Sequence, residues 1–212
     1  MKKKTVLSLI AALLLLAVAA AAGDTSILRP PKGYKLAIVE FADLQCPDCA
    51  RAEPVIQEAL RTYKIPLVRY DFPLPMHNWS FDAHVNARWF DGKSKQVGDA
   101  YRSYIYRNQP SITRENLRSF TEKFAKENKL SFPLFVDPRG ELAAKVRADY
   151  ALGQKVGIQH TPTIYIVSDS TKGTPFVEVV DRSQFFQMID EMKRQVGGSV
   201  TASTAKPAKK AQ

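Results

Sequence analysis

Cys46-Pro47-Asp48-Cys49 contains both cysteines of the chain, and their spacing allows three kinds of chemistry. A C-x-x-C pair can supply half of a zinc site, close a small structural disulfide, or act as a redox couple. A closed zinc site takes about four ligands. With no further cysteine, two of His77, His84 and His160 would have to complete it, and none of them has the close histidine pairing of a zinc site. A static bridge across so short a loop restrains the unfolded chain little. The redox reading draws on the elements around the motif.

Residues 35–41 form a continuous apolar run with β-branched members, which predicts a strand buried on both faces. Residues 50–64 are rich in Ala, Glu, Gln and Arg and predict a helix, kinked at Pro54. Residues 66–72 predict a second strand, so the motif opens the helix of a βαβ unit. Cys46 then sits at the helix N-terminus, where unpaired backbone N–H groups and the helix dipole favour negative charge. A thiolate is the reactive species in disulfide exchange, and this position lowers a cysteine pKa. Cys49, one turn further in, is expected to be more buried and to stay a thiol. Cys46 would exchange with a partner's sulfur, and Cys49 would resolve the mixed disulfide.

Residues 80–157 read as mostly helical. Candidate helices cover 80–90 and 96–107, the second with Val97, Tyr101 and Tyr104 on one face in core-like spacing. A third carries Leu117, Phe120 and Phe124, with Thr113 as its N-cap. A fourth starts at Asp137-Pro138, an N-cap followed by proline, and lines up Leu142, Val146 and Tyr150. Residues 163–167 and 176–180 predict a hairpin, and Ser183 is expected to cap a last helix bearing Phe185, Ile189, Met192 and Val196.

The chain has 212 residues, 45% of them apolar and 25% charged, which is globular composition. Residues 1–22 combine three lysines, an apolar middle and an Ala-rich end, the parts of a signal peptide cleaved near Ala22; the same stretch could instead be retained as a membrane anchor. Either way the rest of the chain is placed outside the cytoplasm. Residues 23–33, with Pro30, Pro31 and Gly33, read as a linker, and residues 197–212 as a disordered basic tail. The net charge of +10 comes largely from the two ends, so no concentrated basic face argues for nucleic acid. Export makes the redox reading stronger, because disulfides form and persist outside the cytoplasm.

The strand–CPDC–helix unit, the helical stretch at about 76–157, Thr161-Pro162-Thr163 before a strand, and Arg69-Tyr-Asp-Phe-Pro-Leu74 followed by His77 together resemble the DsbA-like branch of the thioredoxin superfamily. The resemblance covers residues 34–196. It implies an α/β thioredoxin fold: a central mixed sheet of about four strands flanked by helices, with an inserted helical subdomain. It implies a cis Pro162 facing the cysteines, with Thr161 before it and backbone free to pair with an extended client. Pro47, Asp48 and His160 would share that client-facing side. Glu40, six residues before Cys46, would lie buried beneath the pair with a raised pKa and exchange a proton with Cys49. Pro54 matches a structural kinking proline.

Two positions depart from the family pattern. His160 stands where relatives often carry a small residue, and a protonated imidazole there could stabilise the Cys46 thiolate. Asp48 stands where many oxidants carry His, and its charge should weaken the thiolate slightly. The resulting expectation is an exported thiol:disulfide oxidoreductase that introduces disulfides into exported proteins and is recycled by a membrane redox partner, with no cofactor beyond the cysteines and no metal. The alternatives are a reductase or isomerase of the same fold, or a non-enzymatic thiol-based metal carrier or docking protein.

Overall fold

The computed structural model describes residues 23–170 and 174–197. The signal-peptide stretch and, apart from Gly197, the basic tail lie outside the described residues. Among the described residues no helix is long and apolar enough to cross a membrane.

Strand β1 (Leu36–Ala42) is buried along its whole length. Its side chains alternate between two faces. Ala37, Val39 and Phe41 enter one apolar layer with Phe72, Ile158, Tyr165 and Val167. Leu36 and Ile38 enter another with Ala52, Ile56 and Ala59 of helix α1 (Pro47–Tyr63) and with Phe185, Ile189 and Met192 of helix α6 (Phe185–Gln195). By the same alternation Glu40 points toward α1. β2 (Leu67–Asp71) pairs parallel with β1, as a βαβ unit requires. β3 (Thr163–Ser168) and β4 (Phe176–Glu178) add antiparallel pairings, so the sheet order is β2-β1-β3-β4. The mixed four-stranded sheet with flanking helices is the expected thioredoxin fold.

Four helices lie between β2 and β3: α2 (Ser80–Asp91), α3 (Lys95–Asn108), α4 (Leu117–Glu127) and α5 (Glu141–Val156). Their core is aromatic. Phe90 stacks on Tyr101 at 4.5 Å and meets Phe124 edge-on at 5.0 Å. Tyr101, Tyr104 and Tyr106 are all buried, so the tyrosine-rich segment is core. This cluster runs continuously into Ala42, Leu44, Cys46 and Cys49. Helical insertion and redox motif therefore share one hydrophobic core.

Three helix starts differ from the sequence expectation. α4 begins four residues after Thr113, because Asn116 Oδ1 accepts the Thr113 N–H at 2.7 Å and folds the intervening residues into a turn. Asp137 does cap α5, accepting from the N–H groups of Leu142 and Ala143, but from outside a turn made by Gly140 at φ +71°. Pro138 is consequently not the first helical residue. Asp181, not Ser183, caps the last helical segment: it accepts from the Ser183 N–H at 2.9 Å and starts a 3-10 turn, Arg182–Gln184, that leads into α6. The segment read as a linker is docked, with Leu28 buried against the β1 face and the Asp24 N–H donating to the Lys155 carbonyl.

Candidate redox site

Cys46 is the N-cap of α1, with extended backbone (φ −75°, ψ 119°). Pro47 occupies the first helical position, where its missing N–H costs nothing. The Thr161–Pro162 peptide is cis, and the Thr161 carbonyl oxygen lies 3.2 Å from Cys46 Sγ, across 115 residues of sequence. Both cysteines are free thiols. Cys46 is 6% exposed and Cys49 fully buried.

The two sulfurs have opposite electrostatics. Cys46 is pulled down to about 5. The largest cause is hydrogen bonding from the Cys49 thiol; the N–H groups of residues 49 and 48 add to it, and together they outweigh burial. Cys49 is pushed well up, first by burial, then by donating to Cys46 and by the charges of Glu40 and Cys46. Its Sγ accepts the Asp43 N–H at 3.4 Å. One sulfur is held as a thiolate and the other as a thiol at neutral pH.

Glu40 is buried, its pKa is raised by burial, and its charge is among the causes that push Cys49 up. It is also ion-paired: Arg69 Nε donates to it at 2.6 Å, from the residue directly across the β1–β2 ladder. Arg69 Nη2 reaches Glu53 of α1 at 2.6 Å, and the Ser103 hydroxyl and Gln57 also donate to Glu53. Burial works to raise the Glu53 carboxyl, but these donors hold it below its ordinary range. Two acids thus share one guanidinium.

Asp48 does not stand alone. Arg182 grips it with two contacts, Nη1–Oδ2 at 2.9 Å and Nη2–Oδ1 at 2.6 Å, and Arg51 adds a third at 3.1 Å. The Arg182 hydrogen bonds are the main reason its carboxyl lies below the usual range. The expectation that Asp48 weakens the thiolate is thereby offset by two neighbouring cations.

His160 is exposed, and its backbone carbonyl accepts from the Thr163 hydroxyl at 2.7 Å. Thr161, not the imidazole, contacts Cys46.

The other two histidines hold the loop that leads into Cys46. His84 is buried: Nε2 accepts the Leu44 N–H at 3.2 Å and Nδ1 donates to Asp71 at 2.8 Å. Asp71 is held in turn by Arg88 and Arg102, and these cations with His84 keep its carboxyl low against burial. His77 bonds Asp43 at 2.7 Å. Gln109 Nε2 donates to the carbonyls of Leu44 at 2.9 Å and Cys46 at 3.1 Å. In the sequence His84 stands out only as a zinc-ligand candidate, His77 as that and as a member of the family-like segment, Arg69 only as a member of that segment, and Arg182, Gln109 and Glu53 not at all. Glu53 carried a signal, as the charged member of the buried face Cys49, Ala52, Glu53, Ile56 and Ala59. Arg182 carried none, because it lies 134 residues from its partner.

Among the described residues no group of three or more His, Cys, Asp or Glu is arranged to hold a metal ion.

The chain matches the protein family described as Thioredoxin over residues 34–191. No curated protein matches it. Its structure is similar to that of alpha-DsbA1 from Wolbachia pipientis, with a TM-score of 0.62 and 17% identity over 82% of this chain and 96% of that one. It is similar to ScsC from Proteus mirabilis in a transitional conformation, with a TM-score of 0.62 and 19% identity over 90% and 92%. A periplasmic thioredoxin-like protein from Salmonella enterica serovar Typhimurium gives a TM-score of 0.60 and 19% identity over 77% and 87%. The chain belongs to the thioredoxin family, and its fold is the DsbA-like form with a helical insertion.

Proposed function

We propose that this member of the thioredoxin family is a thiol:disulfide oxidoreductase acting outside the cytoplasm as a disulfide donor to exported proteins. The observation that carries this reading is the split between the two sulfurs, with Cys46 near 5 and Cys49 pushed well up. A stabilised thiolate stabilises the reduced pair, and a pair whose reduced form is stabilised is an oxidant.

In the oxidised enzyme a client thiolate attacks Cys46 Sγ. The Cys46–Cys49 bond breaks, its electron pair goes to Cys49, and Cys49 takes up a proton in keeping with its raised pKa. A second client thiolate then attacks the client sulfur of the mixed disulfide and releases Cys46 as a thiolate. The client loses two electrons to the cysteine pair. A membrane redox partner takes them away again, and the cycle needs no further cofactor.

The roles follow from position. The Thr161 carbonyl, 3.2 Å from the reacting sulfur, and Pro162 beside it offer a backbone edge to an extended client. Pro47, Asp48 and the exposed His160 border that face. Glu40 exchanges the proton of Cys49.

The test is the reduction potential of the pair in glutathione buffers, with free thiols counted by alkylation. A value near about −120 mV supports a donor. A value near about −270 mV assigns the same pair to a reductase. A pair that does not exchange at all over this range would make the bridge structural.

A further inference from the structure

Asp48 poses an electrostatic problem. It sits two residues after Cys46, in the first turn of α1, where its charge opposes a second negative charge on the sulfur. The answer comes from the far end of the sequence. Arg182 lies in the 3-10 turn that the Asp181 carboxylate fixes through the Ser183 N–H and hydroxyl. That turn feeds α6, whose Phe185, Ile189 and Met192 are buried in the same layer as Ala52, Ile56 and Ala59 of α1. The backbones of Arg182 and Asp48 are thus fixed by one shared core, and a two-pronged contact joins their side chains. A planar guanidinium holds a carboxylate in this way with a defined orientation.

We propose that Arg182 is a positioning residue for the redox pair: it cancels the charge of Asp48, lends its own positive charge to the Cys46 thiolate, and so sets how strongly the enzyme oxidises its clients. The charged groups around Cys46 agree with this assignment. On α1 they are Asp48, Arg51 and the neutral Cys49; on β1 there is Glu40, buried and paired to Arg69; from the turn before α6 there is Arg182. Arg51 also touches Asp48, but its side chain is 67% exposed against 33% for Arg182, so solvent screens it more. The electrostatic influence runs both ways: hydrogen bonding to Asp48 is the largest cause that raises the pKa of Arg182, and the charge of Cys46 adds to it. The inference rests on the thiol:disulfide exchange reading, which it deepens by naming the residue that tunes the couple.

The test compares Arg182→Met, Asp48→Asn, the double variant and Arg182→Lys, each checked for fold by circular dichroism. Two readouts are taken: the Cys46 thiolate titration by absorbance near 240 nm, and the equilibrium with glutathione. Arg182→Met is expected to raise the Cys46 pKa by about 0.5 and to shift the glutathione equilibrium about three- to fivefold toward a weaker oxidant, about 14–20 mV. Asp48→Asn is expected to move both readouts the other way, and the double variant to return toward wild type. Arg182→Lys, which keeps the charge, is expected to fall between wild type and Arg182→Met. A merely structural role would lower the unfolding temperature and leave the thiolate titration in place. The proposal is overturned if folded Arg182→Met titrates like wild type, or if Asp48→Asn shifts the same way as Arg182→Met. If Arg182→Met does not fold, the direction of the Asp48→Asn shift decides. A wild-type pair inert to glutathione would sink the exchange reading, whereas the thiolate titration would still decide the role of Arg182.

Discussion

Changing pH should alter the stability of the reduced protein in a way the oxidised protein does not share. Cys46 titrates near 5 in the folded reduced state and near about 8.5 when unfolded. Between these values the folded protein holds a thiolate where the unfolded chain holds a thiol. The unfolded state binds more protons there, so stability rises with pH by about 1.4 kcal/mol per pH unit. At pH 7, two pH units above the folded value, the contribution is about 2.7 kcal/mol; it disappears as pH falls through about 5. Cys49 has the opposite sign and acts only above about pH 8.5, where the unfolded thiol ionises and the buried one does not. Carboxylates common to both redox forms cancel to first order in the difference. The same energy, placed in the redox cycle, makes the pair about 60 mV more oxidising than one with ordinary thiols. The assay is urea unfolding of the oxidised protein and of protein kept reduced by a phosphine, at pH 5, 6, 7 and 8. A stability difference that stays flat across this window would refute the reasoning, because the hydrogen bonds from Cys49 and the helix terminus would then not be holding a thiolate.

Four further outcomes are expected. Cys49→Ser should accumulate a mixed disulfide between Cys46 and a client peptide, seen by mass spectrometry, while Cys46→Ser forms none. His84→Ala should cost about 3 kcal/mol in urea unfolding, since it strands the Leu44 N–H and one oxygen of Asp71 in a fully buried site. Gly153→Ala should cost about 1–3 kcal/mol in the same assay, because the added Cβ would lie 2.5 Å from the Phe72 ring inside the core. Glu40→Gln, made in a Cys46→Ser background, should let Cys49 ionise at lower pH by removing one of the charges that hold it neutral, read from thiolate absorbance.

Local pattern carried far in this chain. The apolar run of β1 and the helix signals around CPDC, features that neighbouring residues decide, placed the two cysteines at the start of α1. The cis Pro162 and the buried Glu40 came from the family resemblance. The errors in helix starts at Thr113, Pro138 and Ser183 arose where a nearby Asn or Asp side chain bonded the backbone first and diverted it into a turn. The long-range polar contacts were the least legible. Glu40 and Arg69 become neighbours only through the β1–β2 register, and Asp48 and Arg182 only through the packing of α6 on α1. His84 looked like any histidine on a helix, because its role depends on a loop 40 residues earlier in the chain.

The loop that carries the chemistry has no freedom of its own. Asp43 is bonded to Ser80, His77 and the Leu74 N–H, Leu44 to His84 and Gln109, Gln45 to the N–H groups of Trp79 and Ser80, and the Cys46 carbonyl to Gln109. Almost every one of these partners belongs to the helical insertion or the segment leading into it. The amide hydrogen of Leu44, bonded to His84 of α2, is therefore expected to exchange with solvent through openings that part α2 from the loop. Insertion and loop form a single mechanical unit, and loosening the insertion at a distance would blur the aim of Cys46 without altering any residue that touches sulfur.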